Sequence, residues 1–189
     1  MSRLHYYAAM LFLVASLFSL MGSSLAKSMP EREVTFVTVR GPAQPALPGP
    51  GWFQTIKPSC NTLEVVVALR SKPAPNSPDG VAYTAACLAL AGRIDDARAT
   101  IKTLPESERF SAAGIVFDVA HPIADAGDDR SAGPIMGLVV EFWPNHYMAL
   151  YHAGIAQFRT GQPAAAKRNL EEFLKHYNAN DGWTQSARE

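Results

Sequence analysis

The sequence lacks an excess of charge of either sign. Its 189 residues contain 17 Lys and Arg and 17 Asp and Glu, so the formal net charge is zero. Proteins that bind nucleic acid usually carry a clustered basic excess, because the phosphate backbone has to be neutralised. The charge balance therefore argues against a nucleic-acid partner, and we expect none.

Recognisable catalytic and metal-binding motifs are also missing. The sequence contains no H-E-x-x-H, no cluster of Cys and His, no calcium-binding loop, no glycine-rich phosphate loop and no G-x-S-x-G. We therefore expect no enzyme activity, no cofactor and no metal ion. The alternative is a small hydrolase or metal-dependent enzyme that uses the region of His121, Asp125 and Asp128.

Long hydrophobic runs are scarce, and the one extended run covers residues 11–20. It follows Arg3 and precedes Ala26, which ends the small-x-small pattern that a signal peptidase accepts. The run is shorter than the roughly 20 apolar residues of a membrane span. Residues 1–26 are therefore predicted to be a signal peptide of a periplasmic or secreted protein that leaves the membrane after cleavage. Retention of this segment as an anchor is the alternative.

Cysteine is limited to Cys60 and Cys87. An even number of cysteines in an exported chain favours a disulfide, because the compartment is oxidising. A bridge would join the start of the helical region to the first helical hairpin, and two buried free thiols are the alternative. A redox-active pair is not expected, because there is no C-x-x-C motif.

Residues 27–56 contain little that can form a packed element. Residues 34–39 (VTFVTV) have the composition of a short strand, but no second run exists to pair with it. Residues 41–51 (GPAQPALPGPG) are rich in Pro and Gly and are typical of an extended linker. We expect residues 27–56 to be extended or disordered and the folded domain to cover residues 57–189.

Helical hairpins are predicted for most of that domain. Residues 145–177 place apolar or small residues at helical spacing on both sides of Gly161. Glycine can adopt the left-handed conformation that ends a helix, and Pro163 suits the first turn of the next helix. Gly92 and Gly127 occupy the same place in two earlier segments, and the three glycines are 35 and then 34 residues apart.

The same offsets recur around each of these glycines. A bulky residue lies eleven residues before the glycine, a small residue seven before it and an alanine five after it: Val81, Ala85 and Ala97; Val116, Ala120 and Ala132; Leu150, Gly154 and Ala166. This pattern resembles the tetratricopeptide repeat (TPR), whose period is about 34 residues. The resemblance implies an all-α fold of stacked antiparallel helical hairpins, with repeats at about 79–105, 107–144 and 145–178 and a capping helix at each end.

The caps and the second repeat carry more specific expectations. The N-terminal cap should bury four residues, Leu63, Val66, Val67 and Leu69, and the short final helix should pack Trp183 back as a lid. In the second repeat, Pro122 and Pro134 fall inside predicted helices, where proline removes a hydrogen bond. We therefore expect a kink or break near Ala120 and a second helix that starts near Pro134 and ends at Phe142.

The resemblance also implies a function. In TPR proteins the first helix of each hairpin usually faces a protein or peptide partner, and the alignment places six residues on that face: Phe117, His121, Asp125, Tyr151, Ile155 and Arg159. Aromatic and Arg side chains are common anchors of recognition, and His121 and Arg159 could meet an anionic group. The alternative is that Phe117, Tyr151 and Ile155 belong to the core. We expect a binding or assembly module, with self-association as a further option.

Overall fold

A computed structural model of the chain describes residues 48–189. The predicted signal peptide and the strand-like residues 34–39 lie outside this range. Within it, the chain forms nine α-helices and no strand. They are α1 (Gly49–Ile56), α2 (Val65–Ser71), α3 (Pro78–Leu90), α4 (Ile94–Lys102), α5 (Glu106–Asp125), α6 (Asp129–Phe142), α7 (Tyr147–Arg159), α8 (Pro163–His176) and α9 (Gly182–Arg188). The predicted all-α fold is confirmed, and none of the described helices is both long enough and apolar enough to cross a membrane.

Three helical hairpins form most of the described chain: α3 with α4, α5 with α6, and α7 with α8. α3 also packs against α5, and α6 packs against α7, so each hairpin contacts the next one in sequence. The hairpin boundaries lie close to the predicted repeats at 79–105, 107–144 and 145–178.

The turn of each hairpin contains a left-handed glycine. Gly92, Gly127 and Gly161 have φ of +76°, +81° and +78°, and no other residue of the described chain has positive φ. After each glycine, the next residue donates its N–H to the carbonyl five residues earlier, over distances of 2.8 to 3.2 Å. This bonding is the Schellman motif that closes a helix. The prediction that these glycines end the first helices is confirmed.

The small residues of the repeated pattern let the helices of a hairpin approach each other. Ala85 and Ala120 are fully buried, and a Cβ added to Gly154 would lie 2.7 Å from the Leu170 side chain of α8. The alanines five residues after the turn glycines, Ala97, Ala132 and Ala166, are at most 2% exposed. The residues at the repeated offsets are therefore the ones at which the two helices of a hairpin pack closely.

The prolines of the second hairpin do not break it, so that expectation was wrong. α5 continues through Pro122, and α6 begins at Asp129 rather than near Pro134. Both prolines are exposed, as are Asp118 and Arg130, whose carbonyl groups lose a helical hydrogen bond. Water can bond these carbonyl groups, which lowers the cost of each proline.

The N-terminal boundary of the domain also differs from the prediction. Residues 49–56, which were expected to be extended, form α1. Trp52, Phe53 and Ile56 fall on one helical face and are at most 6% exposed, and Phe53 stacks on Tyr83 of α3 with ring centroids 5.0 Å apart. Pro50 lies in the first turn of α1, where its missing N–H is not needed.

The predicted buried face of the N-terminal cap was partly wrong. Leu63 and Val67 are 91% and 68% exposed, whereas Val65 is fully buried. The helix begins only at Val65; residues 62–64 form a turn in which the Asn61 side chain accepts hydrogen bonds from the N–H groups of residues 63 and 64. Val66 and Leu69 are half-buried.

At the other end, Trp183 packs back as predicted. Its ring centroid lies 4.7 Å from that of Tyr151 on α7. Asp181 fixes the start of α9, since its side chain accepts hydrogen bonds from the N–H groups of Trp183 and Thr184. The C-terminal capping helix thus covers part of the third hairpin.

Cys60 and Cys87 form a disulfide, with their Cα atoms 4.9 Å apart. No other cysteine exists, so the predicted bridge is confirmed and the free-thiol alternative is not. The bridge joins the segment before α2 to the buried side of α3, and so links the N-terminal cap to the first hairpin.

Gly127→Ala should destabilise the protein by about 1 to 2 kcal/mol, because the left-handed conformation at φ +81° is unfavourable for an L side chain. Gly137→Ala in α6 is the matched control. A Cβ meets nothing within 4 Å at either position, but residue 137 is helical, so alanine there should stabilise by about 0.5 to 1 kcal/mol. Urea unfolding measures both changes, and shifts of the same sign would contradict the prediction.

Reduction of the Cys60–Cys87 disulfide should lower the free energy of unfolding by roughly 3 to 4 kcal/mol, because the bridge restricts the unfolded chain. Urea unfolding with and without reductant measures this loss. The double variant Cys60→Ala, Cys87→Ala should show no response to reductant. Free thiols in denatured, unreduced protein would be the contrary result.

Candidate functional site

Three of the six predicted partner-binding residues lie in or against the core. Phe117 is 8% exposed and Tyr151 is 9% exposed. Ile155 is half-buried and packs against the small core cluster that contains Tyr151 and Phe173. These residues therefore match the alternative interpretation, in which they are part of the packing between helices.

Arg159 is already engaged in an ion pair. Its guanidinium group contacts the carboxylate of Asp129, whose side chain is only 9% exposed, while the Arg159 side chain is 60% exposed. A carboxylate that is so far buried requires a partner. The pair joins the end of α7 to the start of α6, which makes Arg159 a weaker anchor for an anionic group than the sequence predicts.

The remaining two predicted residues, His121 and Asp125, meet a third residue, His152. His121 and Asp125 are one turn apart on α5, and His152 lies on α7. The Nε2 atoms of His121 and His152 are 3.3 Å and 3.6 Å from Oδ1 of Asp125. Neither contact has the geometry of a hydrogen bond, so both buried Nε2 atoms have no hydrogen-bond partner in the described chain. We call these three residues the histidine–aspartate cluster.

The cluster is open to solvent on one side only. The side chain of His152 is 5% exposed, that of His121 29% and that of Asp125 49%. Burial lowers the pKa of His152, and the nearby imidazole of His121 lowers it further, against the opposing effect of Asp125 and Asp129. The His152 ring is therefore neutral near pH 7 and keeps a lone pair on one nitrogen.

Aromatic rings hold the two imidazoles in place. Phe117 stacks on His121 with ring centroids 4.5 Å apart. Tyr151 and Trp183 contact His152 edge-on, with centroids 5.4 Å and 5.7 Å from that of His152. Phe117 and Tyr151, predicted as partner contacts, thus support the cluster from inside the fold.

The residues suggested for an enzyme do not all come together. Asp128 accepts a hydrogen bond from the Ser131 N–H and caps α6. His152 takes the third place in the cluster, although sequence reasoning did not select it. The available signal was a histidine on the apolar face of α7, between Tyr151 and Ala153.

A second candidate surface consists of aromatic rings at the ends of α5, α6, α7 and α8. Phe110 and Trp143 have ring centroids 4.1 Å apart, and Tyr147 stacks on Tyr177 at 5.1 Å. Phe110 is 48% exposed and Tyr147 is 40% exposed. We call Phe110, Trp143, Tyr147 and Tyr177 the aromatic patch. The patch could not be predicted, because Phe110 and Tyr177 are each about 30 residues from Trp143 and Tyr147 along the chain.

His146 lies between the aromatic patch and the histidine–aspartate cluster. Its ring centroid is 4.3 Å from Trp143 and 4.0 Å from Phe117, and its Nδ1 accepts a hydrogen bond from the Ala149 N–H at the start of α7. Burial lowers the pKa of His146; the nearby His121 imidazole also lowers it, whereas Asp118 raises it. Protonation of Nδ1 would occupy the lone pair that accepts this hydrogen bond, so α7 would lose its N-terminal cap.

The described chain also has two open depressions of about 280 and 290 Å³. Pro134 and Arg130 of α6 contribute to both, and neither is lined by His121, Asp125 or His152. The depressions are therefore separate from the histidine–aspartate cluster.

The chain was compared with models of known protein families, with curated proteins and with solved structures, and none matched. The resemblance to TPR proteins therefore stays a prediction from the repeated residues of this chain.

Stability should fall as the pH falls below the unfolded-state pKa of His146, because the folded state holds that pKa below its usual value of about 6.5 and so binds fewer protons. His146→Asn should reduce this loss, since Asn can cap α7 and does not titrate. Urea unfolding at about pH 7.5 and about pH 5.5 measures the loss for each protein. Equal losses in wild type and variant would contradict this role of His146.

Proposed function

We propose that this chain is an exported, TPR-like module that binds a protein or peptide partner. The repeated geometry supports the family assignment. All three hairpins have the same left-handed glycine, the same closing hydrogen bonds and buried residues at the same offsets. Unrelated hairpins would not be expected to share all three features, because each feature depends on the position of a residue within the repeat.

Two features support export. Residues 1–26 have the pattern of a signal peptide. The Cys60–Cys87 bridge is consistent with an oxidising compartment, such as the periplasm or the extracellular space.

The aromatic patch is the observation that carries the binding proposal. Tyr, Trp and Phe are enriched at protein interfaces, because each buries a large area with few rotatable bonds. Phe110 and Tyr147 are two of the five large apolar residues that are exposed in the described chain, and each is already stacked on a neighbouring ring. A partner would therefore meet rings that are held in position, which limits the entropy lost on binding.

The aromatic patch changes the predicted contact surface. Of the six residues expected to face a partner, His121, Asp125 and the ion-paired Arg159 keep exposed parts, whereas Phe117 and Tyr151 are covered. The proposed surface consists of the patch, with His121 and Asp125 as further candidate contacts.

Phe110→Ser, Tyr147→Ser should reduce partner affinity on the order of 100-fold, because two interface anchors are lost. Phe158→Ser is the matched control, since Phe158 is 66% exposed near the opposite end of α7. The partner is first captured by crosslinking from the native exported fraction with the wild-type protein. Its affinity for the wild type and both variants is then measured with purified components.

Both variants should keep the far-ultraviolet helical spectrum of the wild type, because the substituted side chains are exposed. Equal binding by wild type and double variant would refute the patch as the binding surface, and so would an equal loss in Phe158→Ser. A mass that rises with concentration in the wild type but not in the double variant would identify the patch as a self-association surface instead.

A further inference from the structure

The histidine–aspartate cluster has a chemistry that partner binding does not use. We propose that it binds one divalent transition-metal ion of the Zn²⁺ type through Nε2 of His121, Nε2 of His152 and a carboxylate oxygen of Asp125. This inference goes beyond the proposed function and does not depend on it. It also departs from the absence of metal motifs in the sequence, because the three residues converge only in the folded chain.

The donor set suits such an ion. Neutral imidazole nitrogens and carboxylate oxygens bind Zn²⁺ and its neighbours in the first transition series, and two histidines with one carboxylate form a common three-residue site. Four ligands placed tetrahedrally at about 2.1 Å from Zn²⁺ are about 3.4 Å apart. The two distances to Asp125 Oδ1, 3.3 Å and 3.6 Å, are close to this value.

The distance between the ligand atoms of His121 and His152 does not prevent binding. One ligand atom from each of the three residues lies within 4.8 Å of the other two. A modest rotation of the half-exposed Asp125 side chain or of the His121 ring would bring all three onto one ion. Solvent can supply the remaining ligand, because the cluster is open on the side of Asp125.

The unpaired nitrogen atoms point to a ligand independently of these distances. The Nε2 atoms of His121 and His152 are buried and have no hydrogen-bond partner in the described chain, although His152 as a whole is only 4% exposed. Buried polar atoms are normally paired, and leaving one unpaired costs about 1 to 3 kcal/mol. A metal ion would use both lone pairs at once.

No Lys or Arg side chain of residues 48–189 pairs with Asp125. Arg159, which was predicted to lie on the same face, is paired with Asp129. Within residues 48–189, the only basic side chains within ion-pair distance of Asp125 are the two histidines of the cluster. The Asp125 carboxylate is thus available to an ion.

The site would also link two hairpins. His121 and Asp125 are on α5 and His152 is on α7, so a bound ion joins the second hairpin to the third. Because the ligands come together only in the folded chain, the ion should stabilise the folded state.

The test uses untagged protein that has been stripped with a chelator. Calorimetric titration with ZnCl₂ should show one ion bound per chain, and Zn²⁺ should raise the thermal midpoint. Asp125→Asn should weaken Zn²⁺ binding at least about 100-fold, since loss of second-shell partners alone costs 10 to 100-fold. The variant should fold, because Asp125 is half-exposed and lies at the end of α5, where loss of a negative charge favours the helix dipole.

Two controls define the site. Asp118→Asn removes another exposed carboxylate from α5, and His176→Gln removes a histidine that lies 3.1 Å from Glu172 on the surface. Both should bind Zn²⁺ as the wild type does. His121→Gln serves as a second ligand variant and should weaken binding as Asp125→Asn does. With Co²⁺ in place of Zn²⁺, the wild type and both controls should develop visible absorption bands that the two ligand variants lack.

The proposal would be overturned if the stripped wild type bound no Zn²⁺ with a stoichiometry near one. It would also be overturned if Asp125→Asn and Asp118→Asn bound Zn²⁺ equally, or if His176→Gln abolished binding, since surface carboxylates or the Glu172–His176 pair would then be the site.

Discussion

Each hairpin depends on one backbone constraint, the left-handed glycine at the end of its first helix. The glycine fixes where that helix stops and where the next begins, and therefore which residues of the two helices face each other. Residues seven before and five after the glycine are buried in every hairpin, and all six are alanine or glycine. Changes that leave this register intact are tolerated: Pro122 and Pro134 lie in continuous helices, and the residues four positions before them, Asp118 and Arg130, are exposed.

The features that depend on local sequence could be predicted. A turn glycine, a small residue at a fixed offset and a single pair of cysteines each carry their signal within a few residues or in a simple count. The errors arose where the outcome depends on something nonlocal or on a small shift. Leu63 and Val67 were assigned to a buried face, but α2 begins only at Val65, and Val65 is the residue that it buries. α1 was missed because its helical face is only eight residues long and follows a Pro-rich segment.

In the candidate site, too, the residues that are close in sequence could be predicted and those brought together by packing could not. His121 and Asp125 could be selected from sequence, because a spacing of four residues places them on one side of a helix. His152 lies 31 residues after His121, and only the packing of α7 near α5 brings it to Asp125. Tyr151 was expected to face a partner, but Trp183 of the C-terminal helix covers it. The aromatic patch combines residues from three parts of the chain, around residues 110, 143–147 and 177, so no single stretch of sequence contained its signal.

The two contacts between first helices explain why the cluster lies where it does. α3 packs against α5, and several alanines of these two helices are buried: Ala82, Ala85, Ala112 and Ala113. Between α5 and α7 the space is filled by rings, including Phe117, His121, His146 and His152. Leucine or phenylalanine in place of His152 would fill a buried position without leaving nitrogen atoms unpaired. Packing alone therefore does not account for two imidazoles directed at one carboxylate, whereas a shared ligand does.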